Sequence, residues 1–380
     1  MFEKLSPAKK EHYIKLLQAT GSLSKLFNET SDPFLYYRAH ENIFCLALGA
    51  ENLSRSDLSY DAKIGSTGYG LKTFLHQNGK TFQKVAEFNT LSTELRKLKG
   101  MDLIKRVSEL RNKRIETTDA LHKVTKSLYH CVTRKDGVFF IYELPLEPVQ
   151  IASLKIKEDK TNTIIFTDGK NEYTYSISKS TLLKRFNLSG PALAKFDVKV
   201  LDNPFDEILK LSPALTKVSK KSTLHPGIDF VFLPLYSRRD KETLEPAERS
   251  GLNQWNADGR PRDPDEVYIP IPSWIHEYCE GFFPDNVKTQ FELILPDGTT
   301  LNAKLCQSGL KGLLSNPNKA LGKWLLRDVL KLREGTVVTR KILNEADIDS
   351  VMVTKIKSGV YKIDFASVGK FEEFEEGFVE

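Results

Sequence analysis

Cysteine is scarce in this 380-residue chain: Cys45, Cys131, Cys279 and Cys306 stand far apart, with no CxxC pair. That spacing supports neither a zinc site nor a disulfide framework, so the thiols are expected to be reduced and buried. Long apolar runs are also missing. No stretch approaches the roughly 18 apolar residues of a membrane span, and the opening MFEKLSPAKKEHYIKLL has no apolar centre of the signal-peptide kind. The expectations are no membrane partner and a cytoplasmic location. Of seven histidines, none is followed two positions later by lysine. Acidic excess is absent as well. The net charge is +6, and five glutamates against one lysine from Val368 onward leave +10 on the body. A basic body suits a polyanion partner.

The length predicts two domains. Helical spacing runs from Lys9 to Ala19, and a second helix is expected from Asp32-Pro33 to Gly49, with Pro in its first turn. Residues 92–132 read as one or two long helices. Lys105, Arg106, Arg111, Lys113 and Arg114 there are expected on a solvated face, because Glu109, Glu116 and Asp119 interrupt them. From Asp136 to Phe186 the pattern alternates, and Asp168-Gly169 marks a hairpin. Residues 196–226 read as a linker, most flexible near 213–224.

Residues 50–89 carry the pattern best suited to chemistry. Asp61 precedes a turn rich in glycine (Gly65, Gly68, Gly70), a strand Leu71 to Leu75 holds Lys72, and a helix-like piece FQKVAEFN presents Gln83, Lys84 and Glu87. Metal-dependent phosphodiester cleavage needs carboxylates to hold Mg²⁺ and a cation near the scissile phosphate. Acid, turn and strand with lysine resembles the PD-(D/E)XK nuclease core, although the acidic position two before the lysine is Gly70. The resemblance implies Asp61, Lys72, Glu87 and Gln83 as catalytic residues. It implies Asp61 and Glu87, with Glu41 or Glu51 in reserve, as ligands of Mg²⁺. A structural Asp capping a turn and a solvated Lys are the bland alternative.

A second stretch, RSGLNQWNADGRPRDPDEVYIPIPSWIHEYCEGFFP (249–284), places planar donors on a Pro- and Gly-broken arm before a short apolar strand. Arg, Asn and Gln are the side chains that pair bidentately with base edges. The SGLN opening, VYIPIP, GFFP, the hairpin FELILPDGTTLNAKLCQ and YKIDF follow in order over roughly 135 residues. This segment resembles the C-terminal recognition domain of the NgoFVII and BfiI restriction endonucleases, a B-three-type pseudobarrel related to the EcoRII effector domain. The resemblance implies two arms gripping the major groove of double-stranded DNA. On the first arm the matching positions are Asn253 and Trp255 with Arg260. Gln254 interrupts the family's order, and NADGR replaces its GQR, so Arg262 is an equal candidate. On the second arm (306–328) they are Gln307, Lys311, Asn316 and Lys323, with Trp324 expected in the core. The BfiI and NgoFVII nucleases carry a phospholipase-D-type catalytic domain marked by HxK, which is absent here, so the resemblance implies fusion to a different catalytic domain.

The fold expectation is α+β. A nuclease-like α/β domain of the PD-(D/E)XK kind spans 1–195, with a β-rich subdomain at 136–186. A mostly-β pseudobarrel spans 227–368, and an acidic, frayed tail spans 369–380. The function expected is a type II restriction endonuclease cutting duplex DNA with Mg²⁺. It would be dimeric at least when cleaving and have a DNA methyltransferase as its genetic partner. The alternatives are a non-catalytic DNA-binding regulator and a methylation-dependent endonuclease.

Overall fold

The computed structural model describes residues 1–27, 32–53, 59–135, 137–217, 230–237 and 244–377, with backbone alone for 211–217. Two compact units emerge. The first gathers described residues up to Arg111 and from Val124 to Lys217; the second gathers Asn112–Lys123 and those from Phe230 onward. Much of the expected linker and the expected domain start at Gly227 lie outside the described residues.

In the first unit the elements are α1 (Pro7–Ser22), α2 (Tyr37–Leu48), β1 (Glu51–Asn52), β2 (Ala62–Ile64), β3 (Thr67–Leu75), β4 (Lys80–Glu87) and the single turn α3 (Ser92–Leu95). There follow α4 (Gly100–His122), β5 (Lys126–Lys135), β6 (Val138–Pro145), β7 (Lys155–Lys160), β8 (Thr163–Thr167), β9 (Glu172–Ser176), β10 (Thr181–Asn187), β11 (Ala194–Asp197) and α5 (Pro204–Lys217). One six-stranded sheet has the order β1-β2-β3-β5-β6-β11, and a five-stranded sheet has the order β4-β10-β9-β8-β7. β2 and β3 form an antiparallel hairpin, and β5 returns parallel to β3. A parallel return needs a long crossover, which here includes α4. Helices α1 and α2 bury Tyr13, Leu17 and Phe44 with Tyr69 and Leu71 of the sheet. The other sheet packs Phe166, Tyr173 and Leu182 with Ile104 and Val107 of α4.

Several elements differ from expectation. α1 runs on past Ala19 to Ser22, and Gly21 lies within it, where a Cβ would meet Val198 at 2.7 Å and Phe139 at 2.9 Å. Close packing, rather than termination, explains that glycine. α2 begins at Tyr37 instead of Asp32, while Gly49 ends it in the left-handed conformation. FQKVAEFN falls largely in strand β4, since pairing with β10 over seven register positions overrides its local spacing. The long helix ends at His122, and KSLYHCV is strand β5, buried between two partners. Nor is the basic helix face wholly solvated: Arg111 (3% exposed) donates to the Glu147 carbonyl and the Tyr129 hydroxyl. The Asp168-Gly169 hairpin forms between β8 and β9, where Asp168 accepts the backbone N–H groups of Lys170 and Asn171.

The second unit holds β12 (Phe230–Pro234), β13 (Ile269–Pro270), α6 (Ser273–Tyr278), β14 (Gln290–Ile294), β15 (Thr300–Cys306), β16 (Gly312–Asn316) and α7 (Ala320–Gly322). α7 runs into a π-helical segment, Lys323–Val329, followed by α8 (Arg340–Ala346), β17 (Ser350–Lys357), β18 (Val360–Ala366) and α9 (Lys370–Glu376). Its seven-stranded sheet has the order β12-β17-β18-β14-β15-β16-β13, antiparallel except where β14 lies parallel to β18. The alternation in FELIL follows from that pairing: Phe291 and Leu293 are buried in the core, while Gln290 and Glu292 are exposed. Trp324 is core, stacked on Phe365 with ring centroids 5.0 Å apart. The acidic segment is not frayed over its described part. α9 buries Phe371, and Glu372 accepts the Tyr236 hydroxyl at 2.5 Å.

Asp349 is wholly buried in this unit, with Arg340 at 2.7 Å. Burial pushes its carboxyl up to about 6, the Arg340 guanidinium only partly opposing that and Glu372 adding to it. Below an unfolded pKa near 3.8 both states hold the proton. Between that value and about 6 the folded form keeps a proton that the unfolded chain has lost. Stability should therefore fall as pH rises across this window, by about 3 kcal/mol. Denaturant unfolding of this unit at a series of pH values is expected to show that slope in the wild type and not in Asp349→Asn.

Candidate nucleic-acid interface and candidate active site

The first arm of the second unit is built around a buried carboxylate. Glu266 is 5% exposed. It accepts Arg260 through both guanidinium Nη atoms, one at 3.1 Å to Oε2, and the Gln254 amide at 3.2 Å. Arg262 lies with Nε 3.9 Å from the same carboxylate. Its Nη1 closes the loop on itself by donating to the carbonyls of Ala257, Asp258 and Arg260. The arm is also clamped from below. Arg327 donates to Asp265 at 2.7 Å and to the carbonyls of Pro264, Leu332 and Arg333. Gly322 passes so close that a Cβ would lie 1.9 Å from the Asp265 carbonyl oxygen. The arm's base is thus fixed while the Arg260 side chain, 56% exposed, stays at the surface.

The other expected residues divide sharply. Asn253 is fully buried; its amide donates to the Ala247 and Val338 carbonyls and accepts the Val338 N–H. Both its N–H donors are spent on the fold and the side chain is shut off from solvent, which corrects the expectation of a base contact. Trp255 is partly buried against the core. Gln307 and Lys311 are exposed on the turn between β15 and β16, where Gln307, Gly309 and Leu310 have positive φ. They line one cleft of about 420 Å³ with Ser250 and Gly251 of the first arm and Tyr268. Asn316 and Lys323 are exposed but do not line that cleft, and Asn316 donates to Gln290 across the sheet edge.

Ser250 and Gly251 of the first arm and Gln307 and Lys311 of the second thus share one cleft, which Arg260 and Gln254 do not line, and the seven-stranded sheet with its two arms accords with a B3-like DNA-binding domain. Residues 235–357, about a third of the chain, match the family model of the NgoFVII C-terminal B3-like DNA-binding domain, in keeping with a restriction enzyme's C-terminal recognition domain. No curated protein matches the chain. Among the described residues no helix is long and apolar enough to cross a membrane.

In the first unit, the register Ala62↔Tyr69 sets Asp61 at the level of Gly70 on the neighbouring strand. The Asp61 N–H donates to the Tyr69 carbonyl, and its carboxylate accepts the Leu71 N–H at 2.6 Å. Lys72 follows two residues after Gly70. On α2, Glu41 is 5% exposed and paired with Arg38 at 3.0 Å. Cys45 feels both carboxylates: burial, then Glu41, then Asp61 push its thiol up to about 11. Glu51 lies 3.9 Å from Lys63 on the β1–β2 pair. Glu87 and Gln83 do not join this group. Both sit on β4 in the second sheet, where Glu87 pairs with Lys84 at 2.8 Å and Asn89 donates to it. A strand in place of the expected helix carried them away.

Among the described residues no set of three or more His, Cys, Asp or Glu could hold a metal ion. Mg²⁺ commonly takes only one or two carboxylates plus substrate phosphates; Asp61 and Glu41 are the two carboxylates that act together on Cys45. A side chain at Gly70 would be crowded, since a Cβ there would meet the Tyr129 ring at 2.9 Å and Leu146 at 3.0 Å.

Sequence reading missed the buried polar groups. The Tyr13 hydroxyl lies 3.0 Å from both His40 Nε2 and His130 Nε2, and His130 Nδ1 lies 3.2 Å from Glu143. Burial, with the nearby charges of His130 and Lys72, holds the His40 imidazole well below its ordinary value. Burial opposes ionisation of Glu143, but His130 and the Met1 amino group together outweigh it and bring the carboxyl down to about 2. On β10, burial and Arg111 bring Lys184 down to about 8 while it donates to Asn171 at 2.7 Å. No local pattern announces such groups, because their partners are distant in sequence. Glu266 alone had a signal: an acid six residues past Arg260 on a basic arm.

Glu266→Gln tests how the first arm works. Removing a negative charge would, on charge alone, strengthen binding to every duplex. With Arg260 and Gln254 released, discrimination between preferred and random duplexes is expected to fall about tenfold, since a well-placed bidentate pair is worth ~1–3 kcal/mol. Competition binding at fixed salt measures both.

Proposed function

We propose that this chain is a sequence-specific endonuclease of the restriction type, in which the second unit reads a short site in duplex DNA and the first hydrolyses a phosphodiester. The recognition half rests on the match over 235–357 and the cleft that gathers both arms. Arg260, held flat by Glu266, and Gln254 would meet base edges from one side. Gln307 and Lys311 would do so from the other.

One observation carries the cleavage half: β2 and β3 place Asp61 level with Gly70, two residues before Lys72, in a hairpin followed by a parallel strand. Asp61 and Glu41 would hold Mg²⁺, which when bound supplies charge to the phosphate and acidifies water. Lys72 would bring its ammonium to the phosphate and steady the extra negative charge of the transition state. The Leu71 N–H keeps the Asp61 carboxylate turned toward β3, and Arg38 pairs with Glu41 on α2. One such site cuts one strand, so a homodimer or two successive nicks would complete a double-strand break. A methyltransferase protecting the same site belongs to this reading.

A second reading, a DNA-binding regulator without cleavage, is favoured by one specific feature. The place of the missing acid is filled by Tyr129 and Leu146, so the centre has closed over that position.

Plasmid DNA incubated with purified protein in Mg²⁺ or in EDTA separates the two. Discrete fragments that need Mg²⁺ are expected, with Lys72→Ala slower by about 10²–10³, as for loss of a charge at a preorganised site. Salt-dependent binding without any cutting would establish the regulator instead.

A further inference from the structure

Where β3 and β5 end and β4 begins, the first unit contains a cavity of about 550 Å³ that the proposed cleavage chemistry does not use. Its polar lining is Arg134, Lys80, Gln77, Gln83, Thr73 and Thr81, and no carboxylate is among its lining residues. The cations there are poorly matched internally. Arg134 has its guanidinium over the Phe34 ring, 5.2 Å from the centroid. Its Nε is buried without a hydrogen-bond partner, and so is the Thr73 hydroxyl oxygen. Burial makes the Arg134 charge costlier, an effect that the Asp32 carboxylate opposes only in part. The Gln83 amide has a long 3.4 Å contact to Thr81.

Buried donors left unpaired are uncommon in native folds and mark places where something else completes the bonding. A planar guanidinium backed by an aromatic ring, with neutral donors and a lysine beside it, matches a phosphate oxyanion. Successive residues of a strand point to opposite faces, so Thr73 turns away from the side of Lys72, and this is a separate site. We infer that this cavity binds a backbone phosphate of the DNA substrate other than the one cleaved. Arg134 supplies the fork, Thr73 and Gln83 the neutral donors, and Lys80 the outer charge. Gln83 thereby acquires a role in phosphate binding in place of one at the cleavage centre. The inference rests on the reading that the chain acts on duplex DNA.

The test uses the full-length chain and a random-sequence duplex, with binding measured over a range of salt. Each phosphate neutralised contributes about 0.9 to the slope of log K against log salt. Arg134→Gln is expected to lower the slope by about that amount at an unchanged melting temperature, and Arg134→Lys to preserve it. Lys80→Gln, on an exposed side chain, gives the same reading should Arg134→Gln fail to fold. Wild-type slopes in a folded Arg134→Gln, or in Lys80→Gln if that protein does not fold, overturn the inference. A second arm titrates inorganic phosphate and follows the Arg134 Nε–H resonance. A saturable shift that the duplex reverses supports the assignment to DNA. A shift that the duplex leaves in place assigns the cavity to a free phosphate and overturns it. If the wild type binds no duplex at all, the functional reading itself fails, and that result is distinct from an unchanged slope.

Discussion

A single buried carboxylate organises the recognition arm. Glu266 sits beneath Arg260, Gln254 and Arg262 on a segment broken by proline and glycine, which could not hold a shape by secondary structure alone. An ionised group taken out of water is tolerated only where charge and hydrogen bonds replace its hydration. The arm supplies both, so the carboxylate and its donors fix one another. Arg327 and Gly322 then lock the arm's base to the helix after β16. The result is a guanidinium presented in a defined plane before any ligand arrives, which lowers the ordering cost of recognition.

The first unit shows a different balance between chemistry and packing. The β2–β3 hairpin brings Asp61 level with Gly70, but Tyr129 occupies the space into which a side chain at Gly70 would grow. The Tyr129 hydroxyl accepts Arg111, and its ring packs on Phe186 at 4.9 Å. That contact ties the six-stranded sheet to β10 and α4. Tyr129 thus serves as an aromatic anchor between layers, while Asp61 and Glu41 bear jointly on Cys45.

What could be read in the sequence follows from how local each signal is. The arms were legible because SGLN, VYIPIP and the FELIL…LNAKL hairpin are short motifs whose geometry depends on their own residues. Glu87 and Gln83 were misplaced because FQKVAEFN suits either helix or strand, and β10, about a hundred residues later, decides the matter. From the motif alone Asn253 reads as a base contact, whereas the fold uses it as a buried amide bridging Ala247 and Val338. The helix ending at His122 was missed because Lys123, at φ 51°, gives no sequence warning of a left-handed turn.

Selection from a pool of randomised duplexes tests the central claim, that two preorganised arms read DNA sequence, most directly. Full-length protein would be cycled through binding and amplification, and the retained sequences compared. The account predicts convergence on one short asymmetric motif. Retention of duplexes without any shared motif, at undiminished affinity, would contradict it.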